Sequence, residues 1–291
     1  LLILVLHIGV SGGGAQRWLD LKFLRLQPSE LMKLSLVMIL ALYYDWLKPE
    51  RLSHIFWVTI PAVLILVPAG LVIIQPDLGT GLLIGFIGVS MMFLAGISLW
   101  YFVVAFSLLP VAISTLWVSR GKPWQFLTDY QFRRIDTFLD PSLDPLGSGY
   151  HITQSKIALG SGGIFGKGFL MGSQSQLNYL PEKQTDFVFT MIGEEFGFAG
   201  NVFILFIYLL LTISIMWISF RVQSRFAQLT CIGIAMTVFF YMFVNVAMVT
   251  GLLPVVGAPL PFISYGGTSM LTLFIAFGIV ASAIVHDRRE T

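Results

Sequence analysis

The chain has 291 residues, of which 56% are hydrophobic and 11% charged, with a mean hydropathy of +0.85. An ordinary globular domain carries roughly a quarter charged residues, so this composition excludes a chain whose main solvent is water. The net charge of +2 says little by itself, and the single cysteine, Cys231, lies in an apolar run, which excludes an internal disulfide and makes it a buried hydrophobe.

Leu1 to Val10 is apolar but too short to cross a hydrocarbon core of roughly 30 Å, which takes about twenty helical residues. It has no initial Met, no basic flank and no small-residue cleavage site, so it reads as the end of a span rather than as a signal peptide. The polar stretch GGGAQRWLDLKFLRLQPSE (Gly12 to Glu30) leads to a predicted span at Leu31 to Leu47, and spans at Ile55 to Ile74, Leu78 to Ala95 and Leu99 to Val118 follow. After a long connection come Phe187 to Phe220, Phe226 to Val249 and Phe262 to Val285. The expectation is an all-α polytopic membrane protein, one membrane domain over 1–291. It has seven complete transmembrane helices, a remnant of an eighth, and one long extracytoplasmic loop over 120–185.

If the spans alternate, Lys48, Arg51, Arg221, Arg225, Arg288 and Arg289 fall in short loops on one side, against Arg17, Lys22 and Arg25 on the other. Positive charge in short loops marks the cytoplasmic side, so the long loop is placed outside. The motif-like stretches then share the outer face: Gly12 to Glu30, QPDLGT (Gln75 to Thr80), the long loop, and GLLPVVGAPLPFISYGGTS (Gly251 to Ser269). Within the long loop Tyr150 to Leu159 is predicted to be an amphipathic helix, and the loop reads as a lid or substrate-binding segment on the membrane surface. For any single glycine in it, turn punctuation is the alternative.

Ionisable groups at or inside spans are the sharper signal, because charge in hydrocarbon costs several kcal/mol. Glu30 and Lys33 are three residues apart, a spacing that lets them pair on one helix face. Asp77 follows Pro76 at the head of another span, and Asp186 opens the span after LPEKQT. Glu194 and Glu195 lie roughly 12 to 14 Å deeper. On a continuous helix Gly193 and Gly197 point with Asp186, Glu194 sits about 80° away and Glu195 is opposite. Asp186 is therefore predicted to face the bundle interior, and Gly193 with Gly197 to form a small-residue stripe for close helix approach. For Glu194 and Glu195 structural pairing is the expected role. His7, His54, His151 and His286 are scattered and lack cysteine partners, which argues against a structural zinc site. No glycine-rich nucleotide loop is present, which argues against ATP-driven transport. Composition alone leaves enzyme and transporter open.

The motifs GAQRWLDL, QPSE, QPDLGTG, DPLGSGYHITQSKIALGSGG, GKG, GSQSQLNYLPEKQTDFVF, GEEFGFAG and GLLPVVGAPLPFISYGG, with the basic tail, run in order along the whole chain. Together they resemble the SEDS family of shape, elongation, division and sporulation proteins, and QSKIALGSGG, GKG and QSQLNYLPE resemble its elongation branch. Members have ten spans, so the resemblance implies that this chain begins within the third.

The resemblance implies peptidoglycan glycosyltransfer for cell elongation: polymerisation of lipid II, an undecaprenyl-diphosphate-linked disaccharide pentapeptide, at the outer face of the bacterial plasma membrane. It implies as partners a class B penicillin-binding protein and other elongation-complex membrane proteins, and no nucleic acid. Asp186 matches the catalytic aspartate, and Glu30, Lys33 and Asp77 match cavity-lining positions. The chemistry needs a base for the acceptor 4-hydroxyl and charge to meet the departing diphosphate. Arg17, Lys33, Arg133, Arg134, Lys156, Lys167 and Lys183 are same-side cations, each except Lys33, at a span's edge beside Glu30, with a solvated or headgroup-bound alternative, and a divalent cation, Mg2+ or Mn2+, is a further expectation. At a helix N-terminus the macrodipole weakens an aspartate as a base, whereas desolvation strengthens it. A flippase and a non-catalytic scaffold are the alternatives. The cytoplasmic loops carry no polar motif for the first, and the second has no use for an acid at a cavity mouth.

Overall fold

The computed structural model describes all residues except 13, 14, 21, 23, 24, 146, 178, 179, 181–183 and 288–291. Helix α1 (Leu2–Ile8) leads into three short antiparallel strands in the order β1 (Val10–Gly12), β2 (Ala15–Asp20), β3 (Arg25–Leu26). Val10 pairs with Trp18 and Leu19 with Leu26. The polar outer connection Gly12 to Glu30 thus holds a small meander within a mostly helical fold. Its alternating AQRWLD pattern is short, and its partner strands are shorter still, so periodicity gave no signal.

The helices that follow are α2 (Pro28–Trp46), α3 (Ile55–Ile74), α4 (Leu78–Leu94) and α5 (Leu99–Ser119). Then come α6 (Asp129–Leu139), α7 (Ser148–Ser161), α8 (Ser173–Gln176), α9 (Val188–Ser219), α10 (Arg225–Thr250) and α11 (Gly267–Asp287). Their starts follow local chemistry. Pro28 opens α2, where a missing N–H costs nothing. Asp77 caps α4 through the Thr80 amide, and a Thr128–Gln131 capping box opens α6. Gly251, at φ +77, ends α10 in a left-handed turn. Helix α11 begins at Gly267 and not at Phe262, because Phe262 itself has φ +61, outside the helical region.

Among the described residues five helices, α3, α5, α9, α10 and α11, are long and apolar enough to cross a membrane. Helix α4 is apolar but has 17 residues, and α2 has 19 but carries Glu30, Lys33 and Asp45. Helix α10 is the central post, with 56% of its apolar stretch buried, against 6% for α5, which stands at the margin. It packs on α2, α4, α7, α9 and α11. Helices α3 and α4 form a close hairpin because Gly81 and Gly88 leave room for Ile73 and Ile65, and a Cβ at Gly88 would collide with Ile65.

Helix α9 is not continuous. Gly197 has φ +70 and ψ −165, which splits it into two helical pieces. The single helical face predicted for Asp186, Gly193 and Gly197 therefore does not exist. Helix α7 covers the predicted Tyr150 to Leu159 and buries Ile152, Ser155 and Ala158. Ser155 is tied to the Thr190 hydroxyl at 2.7 Å and to the Val249 carbonyl at 2.8 Å, so this part of the long loop packs on α9 and α10.

Candidate active site

Asp186 lies in a turn just before α9, half-buried. The turn is held from several directions. Asn245 of α10, fully buried, donates to the Asp186 carbonyl at 2.9 Å and to the Ala258 carbonyl at 2.6 Å. The Ser264 hydroxyl donates to the Thr185 carbonyl, and the Tyr265 amide donates to the Gln184 carbonyl at 2.9 Å. Gly257 has φ +73, and a Cβ there would stand 3.3 Å from Asp186 Oδ2, so glycine lets the backbone after α10 approach the carboxylate. Beside this turn an open groove of about 450 Å³ is lined by Gln184, Val188, Ile263, Ser264, Tyr265 and Met270 among others, with Asp186 between the two lining residues of its own segment.

One helical turn deeper along α10, Tyr241 meets the predicted Glu30–Lys33 pair. Lys33 Nζ lies 2.6 Å from Glu30 Oε1 and donates to the Tyr241 hydroxyl, which in turn donates to Glu30 Oε2. Glu30 is 4% exposed and Lys33 1%. A cavity of about 20 Å³ beside them, bordered by Thr237, Ser269 and Thr272, has room for one water molecule.

Asp77 is buried and receives the Thr80 amide at 3.2 Å, the Thr80 hydroxyl at 3.0 Å and the Gln27 side chain at 3.2 Å. Arg17 stands 3.7 Å from it and donates to the Pro76 carbonyl at 2.5 Å. Asp77 therefore acts as a helix cap clamped by Arg17. Next to it, Gly79 lies so close to Val256 that a Cβ would reach 2.6 Å from the Val256 carbonyl oxygen. The head of α4 is thus joined to the same segment, 251–266, that approaches Asp186.

Arg134 donates to the Val255 carbonyl at 2.7 Å, and the Lys156 side chain lies over Gly251, so both cations border that segment. Arg133 is exposed. Lys167 pairs at 2.6 Å with Glu194, which is fully buried. Lys183 lies outside the described residues. Among the described residues no three His, Cys, Asp or Glu side chains are placed together to hold a metal ion. Sequence reasoning missed Tyr241, Asn245, Ser264 and Gly257. Tyr241 and Asn245, four apart on one face of an apolar span, were the available signal.

A family model described as cell cycle protein, covering FtsW, RodA and SpoVE, matches residues 1–289. The chain belongs to this family. One SEDS relative, peptidoglycan glycosyltransferase MrdB of Escherichia coli K12, is 44% identical over 291 residues, which is 100% of this chain and 76% of that protein. A probable peptidoglycan glycosyltransferase FtsW of Trichlorobacter lovleyi is 38% identical over 283 residues, 96% of this chain and 72% of that one. A solved chain from a peptidoglycan synthase complex that coordinates polymerization and crosslinking superposes with a TM-score of 0.80 at 30% identity, covering 99% of this chain and 78% of its own. The rod shape determining protein RodA of Thermus thermophilus gives 0.67 at 27%, over 100% and 75%. As a SEDS member with five apolar spans, the chain is an integral membrane protein.

Proposed function

We propose that this chain polymerises lipid II into glycan strands for cell elongation, with Asp186 as the general base. It is a peptidoglycan glycosyltransferase by family, and the observation that carries the assignment of the base is the tethering of its turn by Asn245, Ser264 and the Tyr265 amide, in the segment whose Gln184 and Val188 line the groove. A half-buried carboxylate on a pinned turn is oriented before substrate arrives, which is what proton abstraction requires. Asp186 takes the proton of the acceptor 4-hydroxyl as that oxygen bonds to the donor's anomeric carbon. The anomeric C–O bond to phosphate breaks, and undecaprenyl diphosphate leaves with its electron pair. Arg134 and Lys156, at the edge of segment 251–256, are the cations assigned to meet the diphosphate. Glu30, Lys33 and Asp77 shape the floor behind it.

The working face is the outer side of the bacterial plasma membrane, in keeping with the charge asymmetry of the short loops. The partner is a class B penicillin-binding protein of the elongation assembly, supported by the likeness to a chain of a synthase complex. Asp186→Asn keeps the side chain's size but removes the base, so polymerisation of lipid II by the purified protein is expected to fall roughly 100-fold or more while lipid II binding and melting temperature hold. Wild-type turnover in Asp186→Asn, with loss in Glu194→Gln, moves the base to Glu194. Translocation of lipid II without glycan formation by the wild type establishes a flippase instead.

A further inference from the structure

Trp217 is 60% exposed near the end of α9, with the Arg221 guanidinium 5.2 Å from its ring centre. An aromatic and a cation together at the end of an apolar span mark a membrane interface. From Trp217 back to Gly197 is about 30 Å at 1.5 Å per residue, the thickness of the hydrocarbon layer. The kink in α9 therefore stands at the opposite interface, on the side of the candidate active site.

At that level a non-helical segment is fastened to α9 backbone to backbone. The amides of Lys167 and Gly168 donate to the carbonyls of Glu194 and Glu195, both at 3.0 Å, and the amides of Phe198 and Ala199 donate to Gly163 and Ile164 at 2.9 and 3.0 Å. The groups freed by the kink at Gly197 are thus satisfied by residues 163–168, the condition under which irregular backbone survives at membrane depth. Glycine is required on both sides: a Cβ at Gly166 would collide with the Glu195 carbonyl, and one at Gly197 with the Gly166 amide.

The side chains of this segment point the other way. Ile164, Phe165, Phe169, Leu170 and Met171 are 65%, 83%, 68%, 64% and 69% exposed. Its one charge, Lys167, is turned inward to buried Glu194, which also accepts from the Ser173 hydroxyl and the Gln174 amide at 3.1 Å each. The Phe169 ring lies 6.1 Å from Phe196, and the apolar surface runs on through exposed Phe198, Phe203 and Phe206 of α9. Five large apolar side chains side by side in water mark a contact surface. Continuity with the outer face of a span, at the height of its interface, selects lipid as the occupant.

We propose that residues 163–171 form a membrane-inserting wedge, its backbone latched to the α9 kink and its apolar side chains buried at the headgroup and acyl boundary of the leaflet on the active-site side. This inference stands apart from the assignment of Asp186. Nitroxide labels at Phe165→Cys and Phe169→Cys, in a Cys231→Ser chain placed one copy per nanodisc of phosphatidylethanolamine and phosphatidylglycerol, test it against a label at exposed Ser142→Cys. Collision with oxygen is expected to exceed collision with a water-soluble nickel chelate at 165 and 169, with the order reversed at 142. A water-like ratio at 165 and 169 overturns the wedge, as does low collision with both reagents, which shows protein covering the patch. The wild-type chain gives a second reading free of any folding defect. In vesicles whose lipids carry a diazirine on the acyl chain, adducts are expected on peptides holding residues 164–171, and adducts confined to the long helices overturn the proposal.

Discussion

Glu30 and Lys33 sit where a lone charge is hardest to keep, and they are stable there because each is bonded both to the other and to Tyr241. Desolvating two ions nearly cancels their attraction, so the pair adds little net stability, whereas deleting one partner strands the other. Lys33→Met is accordingly expected to destabilise the protein by about 3–5 kcal/mol, and the double variant Glu30→Gln, Lys33→Met to recover most of that loss. Thermal unfolding in detergent checks it, and an unchanged melting temperature in Lys33→Met means that water reaches the pair. The pairing was legible from the three-residue spacing. Tyr241 was not, because one hydroxyl in a long apolar helix gives no hint of what lies across from it.

At the scale of elements, the kink in α9 decides more than the helix does. A continuous helix would have set Asp186, Gly193 and Gly197 on one face and brought another helix against the glycines. With Gly197 at φ +70, that glycine instead admits the backbone of 164–166, while Gly193 takes the Leu159 side chain of α7. Gly197→Ala forces a side chain into the left-handed region against the Gly166 amide and the Ile164 carbonyl, at an expected cost of about 1–3 kcal/mol for the strain alone. Gly70→Ala in α3 is the contrast, since nothing lies within 4 Å of the added methyl, and its melting temperature should stay level or rise slightly. If both variants melt alike, the latch at the kink contributes nothing to stability. The six residues that prescribe this arrangement, GGIFGK, read only as turn punctuation until their partner is seen.

For the molecule as a whole, the working end is assembled around the last turns of α10, where segments remote in sequence meet. Tyr241 reaches α2, Asn245 reaches the turn of Asp186, and the segment after Gly251 touches α4 and the long loop. Helix α5 stands outside this assembly and is almost wholly exposed. The proposed orientation of the bundle rests on the basic short loops and is tested in intact cells, where an impermeant thiol reagent should label Ser142→Cys and spare Ser224→Cys, both in a Cys231→Ser background. Labelling at 224 with silence at 142 inverts the molecule and puts the Asp186 groove on the cytoplasmic side.

Membrane residence, the limits of most spans and the polar residues at their heads were determined by the sequence alone, because the cost of placing charge in hydrocarbon acts on each residue whatever its neighbours. The motifs carried the family for a similar reason, since each is local. Tertiary structure decided which of those polar residues meet. Lys167 looked like one more cation for a diphosphate, and only the approach of the loop to α9 brings it to Glu194. Asp77 was legible as an acid at the head of a span, and its cap bonds to Thr80 and its clamp by Arg17 depend on how α4 enters the bundle. A helix break at one glycine cannot be read from spacing, because glycine tolerates both the helical and the left-handed backbone, and the choice falls to the segment that supplies hydrogen bonds across it.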